Sequence, residues 1–215
     1  MKKIIVAHHG SPGHPDDYLR LQSKLEENFE LIAKKRSDNT SDLKNEIEVG
    51  YSFGCVYALK SALKNNVKNV ILISPYLYPG NKLSSSKKLL LNTPGVGALI
   101  LGLVGPKAIE KMLIESAHPA QVPESYRQDS LNYLIPYLLR QSIFEKDMEN
   151  IDLDIVLQEL ENNKTNITLI RGREDQTSVF NEQMSKLVSH SNVKEHVIDL
   201  AGHALLWTHC DEVAH

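Results

Sequence analysis

Short β-branched runs alternate with stretches of helical periodicity along most of this chain. That alternation constrains the fold more than any other feature, because strands joined through helices lie parallel, with helices covering their faces. Strands are expected at Lys3–His8, Phe29–Lys35, Glu46–Tyr51, Val67–Ser74, Asn166–Gly172 and Val193–Leu200. Helices are expected at Asp16–Glu27, Gly54–Asn65, Leu153–Asn162, Val179–His190 and from Ala204 onward. From Tyr76 to Asn150 the alternation stops, giving way to apolar helical segments with no strand pattern. The predicted architecture is α/β: a mostly parallel, doubly wound sheet of about six strands. Residues 1–75 and 151–215 form this core, and 76–150 form a helical cap inserted after the strand ending near Ser74.

The 215 residues, 41% hydrophobic and 24% charged, suffice for one sizeable core. A formal charge of −3 lacks the basic excess that would neutralise phosphates, so no nucleic-acid partner is expected. The two cysteines, Cys55 and Cys210, form neither a disulfide framework nor a C-x-x-C zinc pattern, which favours a reducing, cytoplasmic setting. The apolar run Ile4–Ala7 is too short for a signal-peptide core and reads as a strand. The most apolar window, Val96–Gly105, is bracketed by Pro94 and Pro106 and is too short and glycine-rich for a membrane span or a strong isolated helix.

Two features sit awkwardly in a parallel sheet. The connection Ser37–Asn45 is polar except for Leu43 and shorter than the dozen residues a parallel crossover usually takes. It predicts either an uncovered patch of sheet or self-association through it, the second of which would make a homo-oligomer. Glu46 and Glu48 alternate with Ile47 and Val49 where a buried strand should be continuously apolar.

The segment Gly50-Tyr51-Ser52-Phe53-Gly54 links an expected strand to an expected helix. This is G-x-S-x-G in the setting that gives it meaning: a sharp strand-to-helix turn exposes the serine, and the flanking glycines allow close approach of neighbouring elements. By chance the pattern occurs about 0.07 times in a chain of this length. A serine hydroxyl needs a base to take its proton and an acid to orient that base. Asp175 lies just past the strand Asn166–Gly172, and His203 just past the last strand, on the edge where such sheets keep their sites.

With the order Ser52, Asp175, His203, the chain resembles the α/β-hydrolase superfamily, in its capped esterase, lipase and C–C hydrolase branch. His8-His9-Gly10-Ser11-Pro12-Gly13 looks like its oxyanion loop, Gly50–Gly54 its nucleophile elbow, Gly172-x-x-Asp175 its acid turn and Gly202-His203 its base. The resemblance implies Ser52 as nucleophile, His203 as general base and acid, Asp175 as its orienting partner, and the N–H groups of Ser11 and Phe53 as oxyanion hole. No metal or organic cofactor is implied. The first two strands of the family pattern are missing ahead of Lys3, which makes Phe29–Lys35 a sheet edge, with Lys34 and Lys35 discouraging edge-to-edge pairing.

Glu174 is the alternative acid. Among the other histidines, His8 and His9 shape the oxyanion loop, and His14 is a loop residue. Cys55 reads as a small apolar residue opening a buried helix. Tyr51 and Phe53 pack around the elbow, and the Phe53 ring is also a candidate substrate contact. The Leu, Ile, Val and Tyr content of 76–150 suggests an apolar pocket roof, hence a small-to-medium hydrophobic carboxylic ester as substrate. C–C, amide and thioester hydrolysis would use the same residues. A catalytically degenerate member binding a ligand or partner without turnover is the alternative from another class.

Overall fold

The computed structural model describes residues 2–36, 45–77, 90, 93, 95–133, 151–178 and 181–215. Six strands form one sheet: β1 (Lys3–His8), β2 (Phe29–Lys34), β3 (Ile47–Tyr51), β4 (Asn69–Ile73), β5 (Asn166–Gly172) and β6 (Val193–Ile198). Their order is β2-β1-β3-β4-β5-β6, and every neighbouring pair is parallel.

The helices are α1 (Leu19–Gln22), α2 (Gly54–Asn65), α3 (Val96–Ala117), α4 (Glu124–Tyr133), α5 (Leu153–Asn162), α6 (Glu182–Ser189), α7 (Leu205–Thr208) and α8 (Cys210–Ala214). They bury apolar residues on both faces of the sheet. One layer gathers Leu59, Leu72, Leu157, Leu160, Leu169 and Leu187 from α2, α5, α6 and the strands beneath them. The other gathers Leu21, Val49, Ile73, Leu113, Tyr126 and Leu205, so α3 and α4 of the inserted segment pack into the same core as the C-terminal helices.

The helix expected at Asp16–Glu27 is shorter. A 3-10 turn, Pro15–Tyr18, is capped by His14 and leads into the single turn of α1. The chain then turns, with Phe29 N–H donating to the Glu26 carbonyl, to deliver Phe29 to β2. The apolar window Val96–Gly105 is the first part of α3, which runs on through Pro106. Gly105 precedes this proline; lacking Cβ, it escapes the clash that pushes most residues before proline out of the helical region.

Glu48 is fully buried and satisfied. Oε2 lies 2.8 Å from His8 Nε2, and Oε1 accepts from Ser61 Oγ at 2.6 Å and Asn45 Nδ2 at 2.9 Å. The carboxylate thereby ties β1, β3 and α2 together, which a buried charge requires if it is not to be heavily destabilising. β2 is an edge strand, with Lys35 exposed just past its end; Lys34, by contrast, is only 5% exposed and does not act as an edge charge. Most of the connection Ser37–Asn45, and with it the expected patch or self-association, lies outside the described residues.

Candidate active site

Ser52 sits between β3 and α2 with φ 54°, a left-handed conformation that a non-glycine residue adopts only when its surroundings compel it. The flanking glycines supply the room. A Cβ on Gly50 would lie 2.4 Å from Cys55 Cα, and one on Gly54 would lie 2.0 Å from the His8 carbonyl oxygen. The turn is pinned by Ser52 N–H donating to the Ile73 carbonyl at 2.9 Å and by Tyr76 N–H donating to the Ser52 carbonyl at 3.1 Å.

The structure brings Ser52, Asp175 and His203 together at the C-terminal edge of the sheet. His203 Nε2 is 2.9 Å from Ser52 Oγ, and its Nδ1 is 2.8 Å from Asp175 Oδ2. The other Asp175 oxygen accepts the N–H groups of Thr177 and Ser178, each at 2.9 Å. Burial works to raise the Asp175 carboxyl, but His203 and those two N–H groups outweigh it and hold the group below its usual range. Glu174 points elsewhere, accepting the Ala201 N–H at 3.0 Å. The backbone of His203 is held by Tyr51, whose hydroxyl donates to the His203 carbonyl at 3.3 Å.

Ser178 was not among the residues singled out from the sequence. Its hydroxyl lies 3.0 Å from His203 Nδ1 and 3.3 Å from the Ser74 carbonyl, which it donates to. The only sequence signal is its place in the turn after Asp175. The His203 loop is also pressed against the end of α3: a Cβ on Gly202 would lie 2.2 Å from the His118 carbonyl oxygen, and Ala204 N–H donates to the Ser116 carbonyl at 2.8 Å.

The loop His8–Gly13 passes directly beside the elbow, where a Cβ on Gly10 would be 3.3 Å from Ser52 Cβ. Arg36, also missed in the sequence, donates through Nη2 to the His9 and Gly10 carbonyls while its guanidinium lies 4.0 Å from the Tyr57 ring centroid. Tyr18 anchors the loop from below through a 2.9 Å hydrogen bond to the His8 carbonyl. Ser11 lines the cavity in front of Ser52. The Phe53 ring is fully buried, edge-on to Tyr57, and faces the core rather than the cavity.

The three histidines nearest the N-terminus have other partners. His8 meets Glu48, His9 Nδ1 meets the Gly10 carbonyl, and His14 accepts from Asp16 N–H. Cys55 is fully buried, and that burial pushes its thiol well above the ordinary range. Among the described residues no cluster of His, Cys, Asp or Glu could hold a metal ion, and no helix is long and apolar enough to cross a membrane.

A cavity of about 280 Å³ opens in front of Ser52 and His203. Met112, Tyr76, Tyr126 and Trp207 supply apolar surface. Two carboxylates that composition did not announce, Asp17 and Asp129, also line it. Asp17 is pushed up to about 7, chiefly by burial. Two deeply buried polar atoms of the wall, Ser11 Oγ and Trp207 Nε1, have no hydrogen-bond partner among the described residues.

No protein-family model and no curated protein matches this sequence. Solved structures do. The chain is similar to a thermophilic esterase from Thermogutta terrifontis, with TM-score 0.71 and 16% identity over 100% of this chain and 87% of that one. It is similar to MenH from S. aureus, with TM-score 0.69 and 18% identity over 99% of this chain and 90% of the other. The haloalkane dehalogenase DatA from Agrobacterium tumefaciens matches with TM-score 0.64 and 17% identity, over 99% and 86% of the two chains. At such identities the likeness speaks for architecture and not for a shared reaction. The six parallel strands, their helical layers and these neighbours together establish that the chain has the α/β-hydrolase fold.

Proposed function

We propose that the protein is a serine hydrolase that cleaves a small-to-medium carboxylic ester through an acyl-enzyme. The observation that carries this reading is the continuous hydrogen-bonded line from Asp175 through His203 to Ser52, with separations of 2.8 and 2.9 Å. In that arrangement His203 takes the Ser52 proton as the hydroxyl attacks the ester carbonyl, then gives it to the departing alcohol. Asp175, held below its usual range, stabilises the imidazolium that forms between those steps. Water deprotonated by His203 then releases the acid.

The N–H groups of Ser11 and Phe53 serve as the oxyanion hole in this proposal. The close passage of Gly10 beside Ser52 supports it, since it brings the loop carrying Ser11 up to the reacting serine. Each such donor is worth about 3 kcal/mol in the transition state. Residues 76–150 act as the cap over a core of 1–75 and 151–215; Met112 and Tyr126 in the cavity wall support that division. The apolar part of the substrate packs on Met112 and the aromatic rings. Two buried free cysteines favour a reducing, cytoplasmic setting.

Hydrolysis of p-nitrophenyl acetate, butyrate and octanoate by the wild type and Ser52→Ala tests the reading. Turnover well above the variant's background is expected for the shorter esters. Equal, background-level rates for both proteins would overturn it.

A further inference from the structure

The wall of the cavity is unusual for a site built to take a plain hydrocarbon ester. Asp17 and Asp129 both line it, while no Lys or Arg side chain does among the described residues. Burial first, then repulsion from Asp16 and from Asp129, disfavour the charged form of Asp17, against the His14 N–H that its carboxyl accepts. Arg36, which opposes the repulsion, is turned toward the carbonyls of His9 and Gly10 behind the loop. The same cavity is lined by π-surfaces: Tyr126 and Trp207 stack with centroids 4.6 Å apart at 19°, and Tyr51 and Tyr76 line it too.

Carboxylates and aromatic faces attract the same kind of ligand, because ring quadrupoles and negative charges both stabilise a cation held between them. A second, independent observation points to a polar ligand. Ser11 Oγ and Trp207 Nε1, on residues 7% and 6% exposed, have no partner among the described residues, although buried polar atoms nearly always find one. The hydroxyl and the indole N–H can each donate to an oxygen of the ester.

We propose that this cavity selects esters that carry a positive charge, an alkylammonium group held by the Asp17 and Asp129 carboxylates against the Tyr126 and Trp207 rings. The proposal deepens the serine-hydrolase reading and rests on it for the reaction, but not for the binding. Asp17 is charged in the occupied site, because a bound cation offsets the burial and repulsion that raise its carboxyl.

Two isosteric pairs test the selection: 2-(trimethylammonio)ethyl butyrate against 3,3-dimethylbutyl butyrate, and alanine ethyl ester against ethyl isobutyrate. The first pair carries the charge on the alcohol, the second on the acyl group. At least one charged member is expected to exceed its neutral isostere tenfold or more in kcat/KM, and Asp129→Asn should bring that ratio toward one. Ratios near one in the wild type, or a preference untouched by both Asp129→Asn and Asp17→Asn, would overturn the proposal.

A binding measurement separates its failure from that of the hydrolase reading. Trp207 is the chain's single tryptophan, so its emission reports on this wall alone. In Ser52→Ala, 2-(trimethylammonio)ethanol should give a saturable change in that emission, weakened tenfold or more by Asp129→Asn, where 3,3-dimethylbutanol gives none. A protein that hydrolyses no ester yet shows this response loses the hydrolase reading and keeps the cation site; equal or absent responses to both alcohols would remove the site.

Discussion

The hydroxyl of Ser178 lies 3.0 Å from Nδ1 of His203. That nitrogen also faces Asp175, so the imidazole is steered by two side chains of one turn rather than by the carboxylate alone. Losing a neutral hydrogen bond of this kind costs about 1 kcal/mol. Ser178→Ala is therefore expected to lower kcat by roughly fivefold with KM little changed. Ser178→Thr, which keeps the hydroxyl, should restore most of the loss; steady-state kinetics on a p-nitrophenyl ester reads both.

The glycines of this chain divide sharply by what surrounds them. A Cβ at Gly54 would collide with the His8 carbonyl oxygen at 2.0 Å, whereas one at Gly102 in α3 meets nothing within 4 Å. Gly54→Ala is expected to cost about 3 kcal/mol, lowering Tm by roughly 6–12 °C. Gly102→Ala should leave Tm unchanged or raise it, by up to about 1 kcal/mol in stability, because alanine is the better helix former. Thermal unfolding of the two variants compares them directly.

Asp17 and Asp175 make stability depend on pH in opposite directions. Asp17, raised to about 7, binds its proton more tightly in the folded chain than in the unfolded one. Its contribution is therefore full at low pH and is lost as pH rises from about 4 through 7. Asp175 is held low, so its contribution is present above the ordinary carboxylate range and lost as pH falls through its folded value. Asp17→Asn still offers an oxygen to the His14 N–H that Asp17 accepts at 3.0 Å. It should gain stability relative to wild type as pH is raised from 4 to 8, measured by urea unfolding. An unchanged difference across that range would contradict the assignment.

His8 supports the fold rather than the chemistry. Removing its ring leaves Glu48 Oε2 buried without the partner now 2.8 Å away. Leaving a buried acceptor without its hydrogen-bond partner costs about 1–3 kcal/mol, so His8→Ala should lower the denaturation midpoint. The double variant His8→Ala, Glu48→Leu should recover part of that loss, because it no longer buries an unmatched carboxylate.

Local signals were readable in the chain and distributed ones were not. The strands β1 and β5 and the helices α2 and α5 have the bounds their periodicity indicates, because each buries its own apolar face. The elbow was legible for the same reason: Gly50, Ser52 and Gly54 carry its geometry within five positions. Glu48 looked misplaced because the groups that satisfy it come from Asn45, His8 and Ser61, which sequence spacing does not connect. Arg36 and Ser178 act on backbone carbonyls and a ring nitrogen far along the chain, and no motif marks such contacts. The composition of 76–150 suggested an apolar roof, but it could not foresee that Asp129 would share the cavity with Asp17 from the other end of the core.

The most direct test of the central claim is the site and rate of covalent labelling by a fluorophosphonate, followed by intact mass and peptide mapping. The account predicts one adduct per chain, on Ser52, absent in Ser52→Ala and slowed at least a hundredfold in His203→Ala. An unlabelled Ser52 in the folded wild type, or labelling of His203→Ala at the wild-type rate, would contradict it.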